Sequence, residues 1–218
     1  MKDIHIYNNH ETTAPVVYLN VFQGDGSDIW EACEKMNLPP VTLAVVSGLR
    51  WNEELSPWEA EPLFKDERFL GKADEYIREM KSEIMPYVRE TIGEEPLWSA
   101  IAGYSLAGLF AVYAGYQMDD FKAVASVSGS LWFPDFTEYM EAHMPFEKLT
   151  SAYFSLGSKE HKVRNPVMSQ VLDKTLQAKS ILEKRGLKTV FETNPGNHFT
   201  DPGWRMAKGI AWILNHTQ

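Results

Sequence analysis

Short, almost uninterrupted apolar runs alternate along the chain with stretches of helical periodicity. Most of the runs lack the in-and-out alternation of a half-exposed strand, and continuous apolar character is typical of strands that are covered on both faces. The six runs that predict strands are 16–22, 41–46, 98–102, 123–127, 152–156 and 189–192. Strands alternating with helices predict an α/β fold with a mainly parallel central sheet and helices on both faces.

The stretches between the runs carry helix signals. Apolar residues recur at helical spacing over 73–84, and Pro86 is expected to kink or restart that helix. Asn165 and Asp201 each precede a proline, a pair typical of a cap followed by the first helical position. Because ligands bind beyond the carboxyl ends of the strands in such sheets, the functional residues are expected in the loops that follow the runs.

Length, composition and charge narrow the class. The 218 residues are 44% hydrophobic without any run approaching the ~20 residues of a membrane span, and a single domain over 1–218 is expected. The net charge is −9, without the basic surplus of proteins that bind nucleic acid or anionic membranes, so neither partner is expected. The N-terminus has no apolar signal segment and Cys33 has no disulfide partner, which together predict a cytoplasmic location. The oligomeric state stays open.

Residues 103–108, Gly-Tyr-Ser-Leu-Ala-Gly, follow one predicted strand directly and open an apolar helix. A nucleophile elbow requires this context, because its serine lies on a sharp turn from strand to helix. Such a turn needs small residues two positions before and after the serine, here Gly103 and Ala107. Ser105 is therefore the candidate nucleophile, and the Leu106 amide is a candidate oxyanion donor. The alternative is an ordinary Gly-Ser turn.

A serine nucleophile needs a general base and an acid that orients the base. His198 is the best placed of the histidines, because it lies in a turn-rich loop directly after the last predicted strand. Glu160 follows the preceding predicted strand and fits the chain order Ser, acid, His. The alternatives are a surface histidine and a solvated carboxylate paired with Lys159 or Lys162. Asp201 is near His198 in sequence, but we interpret it as a helix cap.

The loop 23–27 after the first predicted strand is expected to supply the second oxyanion donor. Its glycines let backbone amides come close to a ligand, and Asp25 or Gly26 is the candidate donor. The loop lacks the spacing of a phosphate-binding loop, so no nucleotide cofactor is expected. No His-Glu-x-x-His motif or comparable ligand cluster is present in the sequence, so no metal is expected either.

Several motifs, in order along the chain, resemble those of one known family. They are Tyr-Leu at 18–19 before Gly-Asp-Gly at 24–26, Arg50 before Leu-Ser-Pro-Trp at 55–58, Ile-Met-Pro-Tyr at 84–87, the elbow at 103–110, and Ser-Gly-Ser-Leu-Trp at 128–132. Over nearly its whole length the chain resembles the "putative esterase" family of α/β-hydrolases. That family includes enterochelin esterases, S-formylglutathione hydrolases, some feruloyl and xylan esterases, and the antigen 85 mycolyltransferases.

The resemblance implies an α/β-hydrolase fold with Ser105 as nucleophile, His198 as base and an acid near Glu160. It also implies oxyanion amides from Leu106 and the 24–27 loop. The sequence departs from the family pattern at Ala107, where glycine is usual, and no N-terminal accessory domain of the enterochelin esterase kind is expected. The predicted function is a serine esterase that works through an acyl-enzyme, without a cofactor.

Two other functions stay open: an acyltransferase on the same triad, and a non-catalytic binding protein that keeps the fold. The expected substrate is a small-molecule, carbohydrate or siderophore-type ester. Trp132 and Arg50 are candidate substrate-binding residues, with core packing and a structural ion pair as their alternatives. Trp51 and Trp58 are also expected near the site. Because 218 residues leave little spare chain, no large lid is expected, and the site should be open.

Overall fold

A seven-stranded sheet runs through the centre of the computed structural model, which describes residues 2–10, 13–62 and 68–217. The strands in chain order are β1 (Asp3–Asn8), β2 (Val16–Asn20), β3 (Thr42–Ser47), β4 (Glu59–Ala60), β5 (Phe69–Leu70), β6 (Ser99–Tyr104), β7 (Phe121–Val127), β8 (Ser151–Gly157) and β9 (Lys188–Asn194). The central sheet has the order β1-β3-β2-β6-β7-β8-β9, while β4 and β5 form a separate small ribbon.

The six predicted runs are the six parallel strands of this sheet. The predicted fold class is thus confirmed. The sequence reasoning missed β1, which pairs antiparallel with β3 at one edge. Its segment alternates exposed and half-buried positions, the pattern of an edge strand with one solvated face rather than of a fully covered strand.

Helices cover both faces of the sheet. They are α1 (Ser27–Lys35), α2 (Trp51–Glu54), α3 (Ala73–Glu79), α4 (Met85–Ile92), α5 (Leu106–Gln117), α6 (Phe136–Ala142), α7 (Val171–Lys184) and α8 (Pro202–His216). Two of them, α1 and α8, pack side by side on one face. The long helices α3, α4, α5 and α7 contribute to the larger core on the other face. Burial of the parallel strands from both sides explains their continuous apolar sequence.

Proline acts differently at its three predicted helix positions. Before Pro86, a π-helical segment (Met80–Ile84) joins α3 to α4, so the helix is distorted there without stopping. The side chain of Asn165 caps the following turn by accepting hydrogen bonds from the amides of Val167 and Met168. Asp201 precedes α8 with a φ of 48° and makes no side-chain capping hydrogen bond. Asp201 therefore occupies the predicted N-cap position of α8, but its side chain does not cap the helix.

The described residues bear on two possible partners, a membrane and a metal ion. Within residues 2–10, 13–62 and 68–217, no helix is both long and apolar enough to cross a bilayer. In the same part of the chain, no group of three or more His, Cys, Asp or Glu side chains is arranged to hold a metal ion. Cys33 is buried in α1 as a free thiol.

Candidate active site

Three of the predicted site residues meet beyond the carboxyl ends of neighbouring parallel strands. Ser105 follows β6 directly, Glu160 follows β8, and His198 follows β9. The Nε2 atom of His198 lies 3.1 Å from Ser105 Oγ, and its Nδ1 atom lies 2.8 Å from Glu160 Oε2. Topology alone explains the meeting, because β6 to β9 are consecutive in the sheet and their carboxyl ends share one edge.

The turn at Ser105 is a sharp elbow. Ser105 has a φ of 59° and a ψ of −124°, in a region that L-residues rarely occupy, and α5 begins at the next residue. A Cβ atom added to Gly103 would lie 2.1 Å from the Ala107 carbonyl oxygen, and one added to Gly108 would lie 2.9 Å from Gly129 Cα. The backbone is therefore too close for larger residues, which explains the small residues around the serine.

Replacing Gly103 by alanine is expected to destabilise the protein by more than about 3 kcal/mol, because backbone rather than a movable side chain blocks the new methyl group. Gly93→Ala is the matched control. Gly93 has a φ of 75° with open space around it, so only conformational strain of about 1 kcal/mol is expected. Urea unfolding of both variants measures the difference, and equal midpoints would contradict this account of the elbow.

Glu160 is a buried carboxylate, only 5% exposed, that is held by four donors. Its Oε2 atom faces His198, while its Oε1 atom accepts hydrogen bonds from Ser128 Oγ at 2.6 Å, Arg205 Nη2 at 2.7 Å and the Gly157 amide. Burial by itself would raise the pKa of Glu160, but these bonds outweigh it and lower the pKa to about 2. The carboxylate therefore stays ionised and is fixed in orientation.

Arg205, on α8, is the site residue that the sequence reasoning missed. It is 2% exposed and pairs with Glu160 in the interior, which is rare for an arginine. One signal could have drawn attention to it, since a charged residue stands on the apolar stripe of a helix. The neighbours on that stripe are Met206, Ala207, Ile210 and Ile213.

Two residues that line the Ser105 cavity, Leu106 and Phe22, offer backbone amides as candidate oxyanion donors. Leu106 is the first residue of α5, where N–H groups have no partner inside the helix. Phe22 follows β2, lines the same cavities as Ser105, and donates no hydrogen bond from its amide to any described residue. Asp25 does not line either of these cavities among the described residues. Its carboxylate accepts a hydrogen bond from the Ser27 amide.

A cavity of about 770 Å³ opens at Ser105 and His198. Trp132 lies in its wall, as does Trp51. Arg50 also lines it, but its guanidinium is held by Glu53 and Glu54 at 2.9 Å each. These bonds form the structural ion pair that was the alternative role for Arg50. They compete with the contact to substrate that was predicted for its guanidinium.

Trp58 lies away from the cavity walls, within an aromatic cluster. Its indole N–H donates to the Pro134 carbonyl at 3.1 Å, and its ring packs against Phe133, Phe136 and Tyr139. The expectation that Trp58 contributes aromatic surface to the site was therefore wrong.

A second cavity of about 490 Å³ shares Ser105 and His198 with the first. Phe22, Trp51 and Phe199 stand in the walls of both. Phe22 and Phe199 are 65% and 84% exposed, so aromatic rings rim the site on the solvent side. The serine thus borders both cavities.

Comparisons with known proteins agree with this geometry. The model of the family described as "Putative esterase" matches residues 7–207. The uncharacterized protein YbbA of Bacillus subtilis (strain 168) is 25% identical over 190 residues, which cover 83% of this chain and 75% of that protein.

Solved structures of hydrolases share the fold. An IroE-like serine hydrolase from Shewanella oneidensis matches with a TM-score of 0.79 and 18% identity, over 98% of this chain and 76% of that one. The siderophore hydrolase EstA from Aspergillus nidulans matches with a TM-score of 0.69 and 16% identity, over 97% and 94%. The enterobactin esterase FES from Shigella flexneri matches with a TM-score of 0.70 and 19% identity, over 98% of this chain and 55% of its own. The chain belongs to the putative esterase family and is an enzyme of α/β-hydrolase fold with ester hydrolase activity.

Proposed function

We propose that this protein is a serine carboxylic-ester hydrolase in which Ser105 is the nucleophile, His198 the general base and Glu160 the acid that orients it. The observation that carries the proposal is the continuous hydrogen-bonded chain from Glu160 through His198 to Ser105, set on a strained elbow. A serine, an imidazole and a carboxylate in this geometry can generate and stabilise an attacking alkoxide.

The proton moves through His198 in both halves of the reaction. His198 Nε2 takes the proton of Ser105 Oγ as the oxygen attacks the ester carbonyl, and then gives it to the departing alkoxide. In the second half water attacks the acyl-enzyme and gives a proton to His198, which returns it to Ser105 Oγ as the ester bond to the enzyme breaks and the carboxylic acid leaves. Glu160 stabilises the imidazolium throughout, and its low pKa supports a carboxylate that remains ionised.

The developing oxyanion is stabilised by backbone amides. We assign one donor to Leu106, at the N-terminus of α5, and the second to Phe22, because its free amide is in the wall that Ser105 shares. Asp25, the donor predicted from the sequence, lines neither cavity among the described residues, so we do not assign this role to it. Two amides aimed at one oxygen act together with the positive end of the helix dipole.

The substrate is proposed to be a small-molecule ester with substantial groups on both sides of the carbonyl. The two cavities that meet at Ser105 support this, since their volumes of about 770 and 490 Å³ each accommodate a sizeable substituent. A siderophore-type ester is one member of that class, and the fold that the chain shares with a siderophore hydrolase and an enterobactin esterase supports its inclusion. Both cavities open to solvent, so water can reach an acyl-enzyme at Ser105.

Covalent labelling tests the proposal directly. Incubation with a fluorophosphonate probe is expected to label the protein once, and peptide mapping should place the label on Ser105. Short p-nitrophenyl esters should be hydrolysed with a burst that corresponds to an acyl-enzyme. Absence of both labelling and turnover in folded protein would contradict a serine mechanism, and burst without release to water would favour the acyltransferase alternative.

A further inference from the structure

We propose that Arg205 is a positioning residue that holds the acid and the base of the triad in one buried hydrogen-bonded network. The inference deepens the proposed function and rests on it. Arg205 does not touch the reacting atoms, but its two terminal nitrogens divide between two elements that carry the triad. One nitrogen contacts the Glu160 carboxylate, and the other contacts the loop that carries His198.

The first nitrogen fixes the rotation of the Glu160 carboxylate. Arg205 Nη2 donates to Glu160 Oε1 at 2.7 Å and also to Ser128 Oγ, which itself donates to the same carboxylate oxygen. With the Gly157 amide added, three donors occupy Oε1. Because that oxygen is saturated, Oε2 is left to face His198 Nδ1.

The second nitrogen holds the backbone on either side of the histidine. Arg205 Nη1 donates to the Asn197 carbonyl at 3.2 Å and to the hydroxyl of Tyr104 at 2.9 Å. The Tyr104 hydroxyl in turn donates to the carbonyl of His198 at 2.6 Å. Since Tyr104 directly precedes Ser105, the network reaches the element of every member of the triad.

Burial makes the charge of Arg205 consequential. Arg205 is 2% exposed, and its Nε atom has no hydrogen-bond partner among the described residues. Within the same part of the chain, Glu160 is the carboxylate that forms an ion pair with it. A buried ion pair contributes little net stability, because desolvation offsets the attraction. Net stability alone therefore accounts poorly for an arginine here, whereas a forked donor that reaches both Glu160 and the His198 loop accounts for it.

Arg205→Met and Arg205→Lys separate orientation from charge. For Arg205→Met we expect kcat to fall about 100-fold with KM within about twofold, because the orientation of Glu160 is lost while the cavities stay intact. Arg205→Lys keeps the charge but loses the two-nitrogen fork, so kcat should recover only in part.

Arg185→Met is the matched control. Arg185, at the end of α7, also bonds a tyrosine hydroxyl and a backbone carbonyl, those of Tyr116 and Glu141, but at a distance from the triad. Arg185→Met should keep the wild-type kcat and KM. If Arg205→Met does not fold, Tyr104→Phe replaces it: loss of the bond to the His198 carbonyl should lower kcat and leave KM unchanged.

Thermal unfolding and probe labelling are measured on the same samples. Wild-type kcat in folded Arg205→Met, or a lower melting temperature as its only effect, would overturn the positioning role. Failure of the wild-type protein to be labelled at Ser105 would instead overturn the proposed function. The two failures are thus distinguishable.

Discussion

Ser105→Ala is expected to lower kcat/KM for p-nitrophenyl esters by at least about 10,000-fold, the largest effect of any single change in this protein. The variant loses the attacking oxygen and with it the acyl-enzyme route. It keeps the cavities and the backbone amides of Leu106 and Phe22, the proposed oxyanion donors. Residual activity above the uncatalysed rate is therefore expected, together with complete loss of fluorophosphonate labelling.

Ser126→Ala is the matched control for that measurement. Ser126 lies on β7 near the elbow, and its buried hydroxyl has no hydrogen-bond partner. Its removal should leave activity and labelling unchanged and cost little stability, because no bond is broken. If Ser105→Ala retained more than about a hundredth of the wild-type rate, or if both variants lost activity equally, Ser105 would not be the nucleophile.

Those parts of the fold and site that depend on local signals could be predicted from the sequence. The six parallel strands are continuous apolar runs, and Ser105 lies in a turn whose small residues are adjacent in sequence. Chain order then places an acid and a histidine after later strands, and the structure brings Glu160 and His198 to that serine. Each step needed only a neighbouring stretch of sequence and the topology of a parallel sheet.

What could not be predicted depends on contacts between distant segments. Arg205 pairs with Glu160, which lies 45 positions earlier, and no local pattern announces such a pairing. The register of the oxyanion loop is a similar case, because the geometry of the chain after β2 decides that Phe22 rather than Asp25 lines the cavities. The edge strand β1 was missed for another reason, since its alternating pattern differs from that of the covered strands.

Glu160→Gln is expected to lower kcat by about 1,000- to 10,000-fold, although the new side chain has the same shape. The three donors on Oε1 require an acceptor there, so the amide oxygen must take that position and the NH₂ group must face His198. An NH₂ donor at Nδ1 forces the proton of the neutral imidazole onto Nε2. That nitrogen then points a hydrogen at Ser105 and cannot accept the serine proton.

Glu192→Gln is the control for the loss of a carboxylate. Glu192 accepts a hydrogen bond from Tyr153 and pairs with Lys208 of α8, but it has no contact with the triad. Its replacement should change kcat by less than about twofold, because the His198 tautomer is unaffected. Comparable losses in the two variants would show that carboxylate removal acts through the helix packing and not through the imidazole.

Glu160→Gln should also change how the stability of the protein depends on acid pH. The pKa of Glu160 is about 2 in the folded protein and near 4.5 as a free side chain, so ionised Glu160 stabilises the fold above pH 4.5, and this stability is lost as the pH falls towards 2. The shift corresponds to about 3 kcal/mol of unfolding free energy. Glu160→Gln should be less stable near neutral pH, because Arg205 loses its countercharge, and should lose less on acidification. Urea unfolding at several pH values measures both slopes. Parallel slopes would mean that Glu160 is not the ionised, hydrogen-bonded partner on which the proposed orientation of His198 depends.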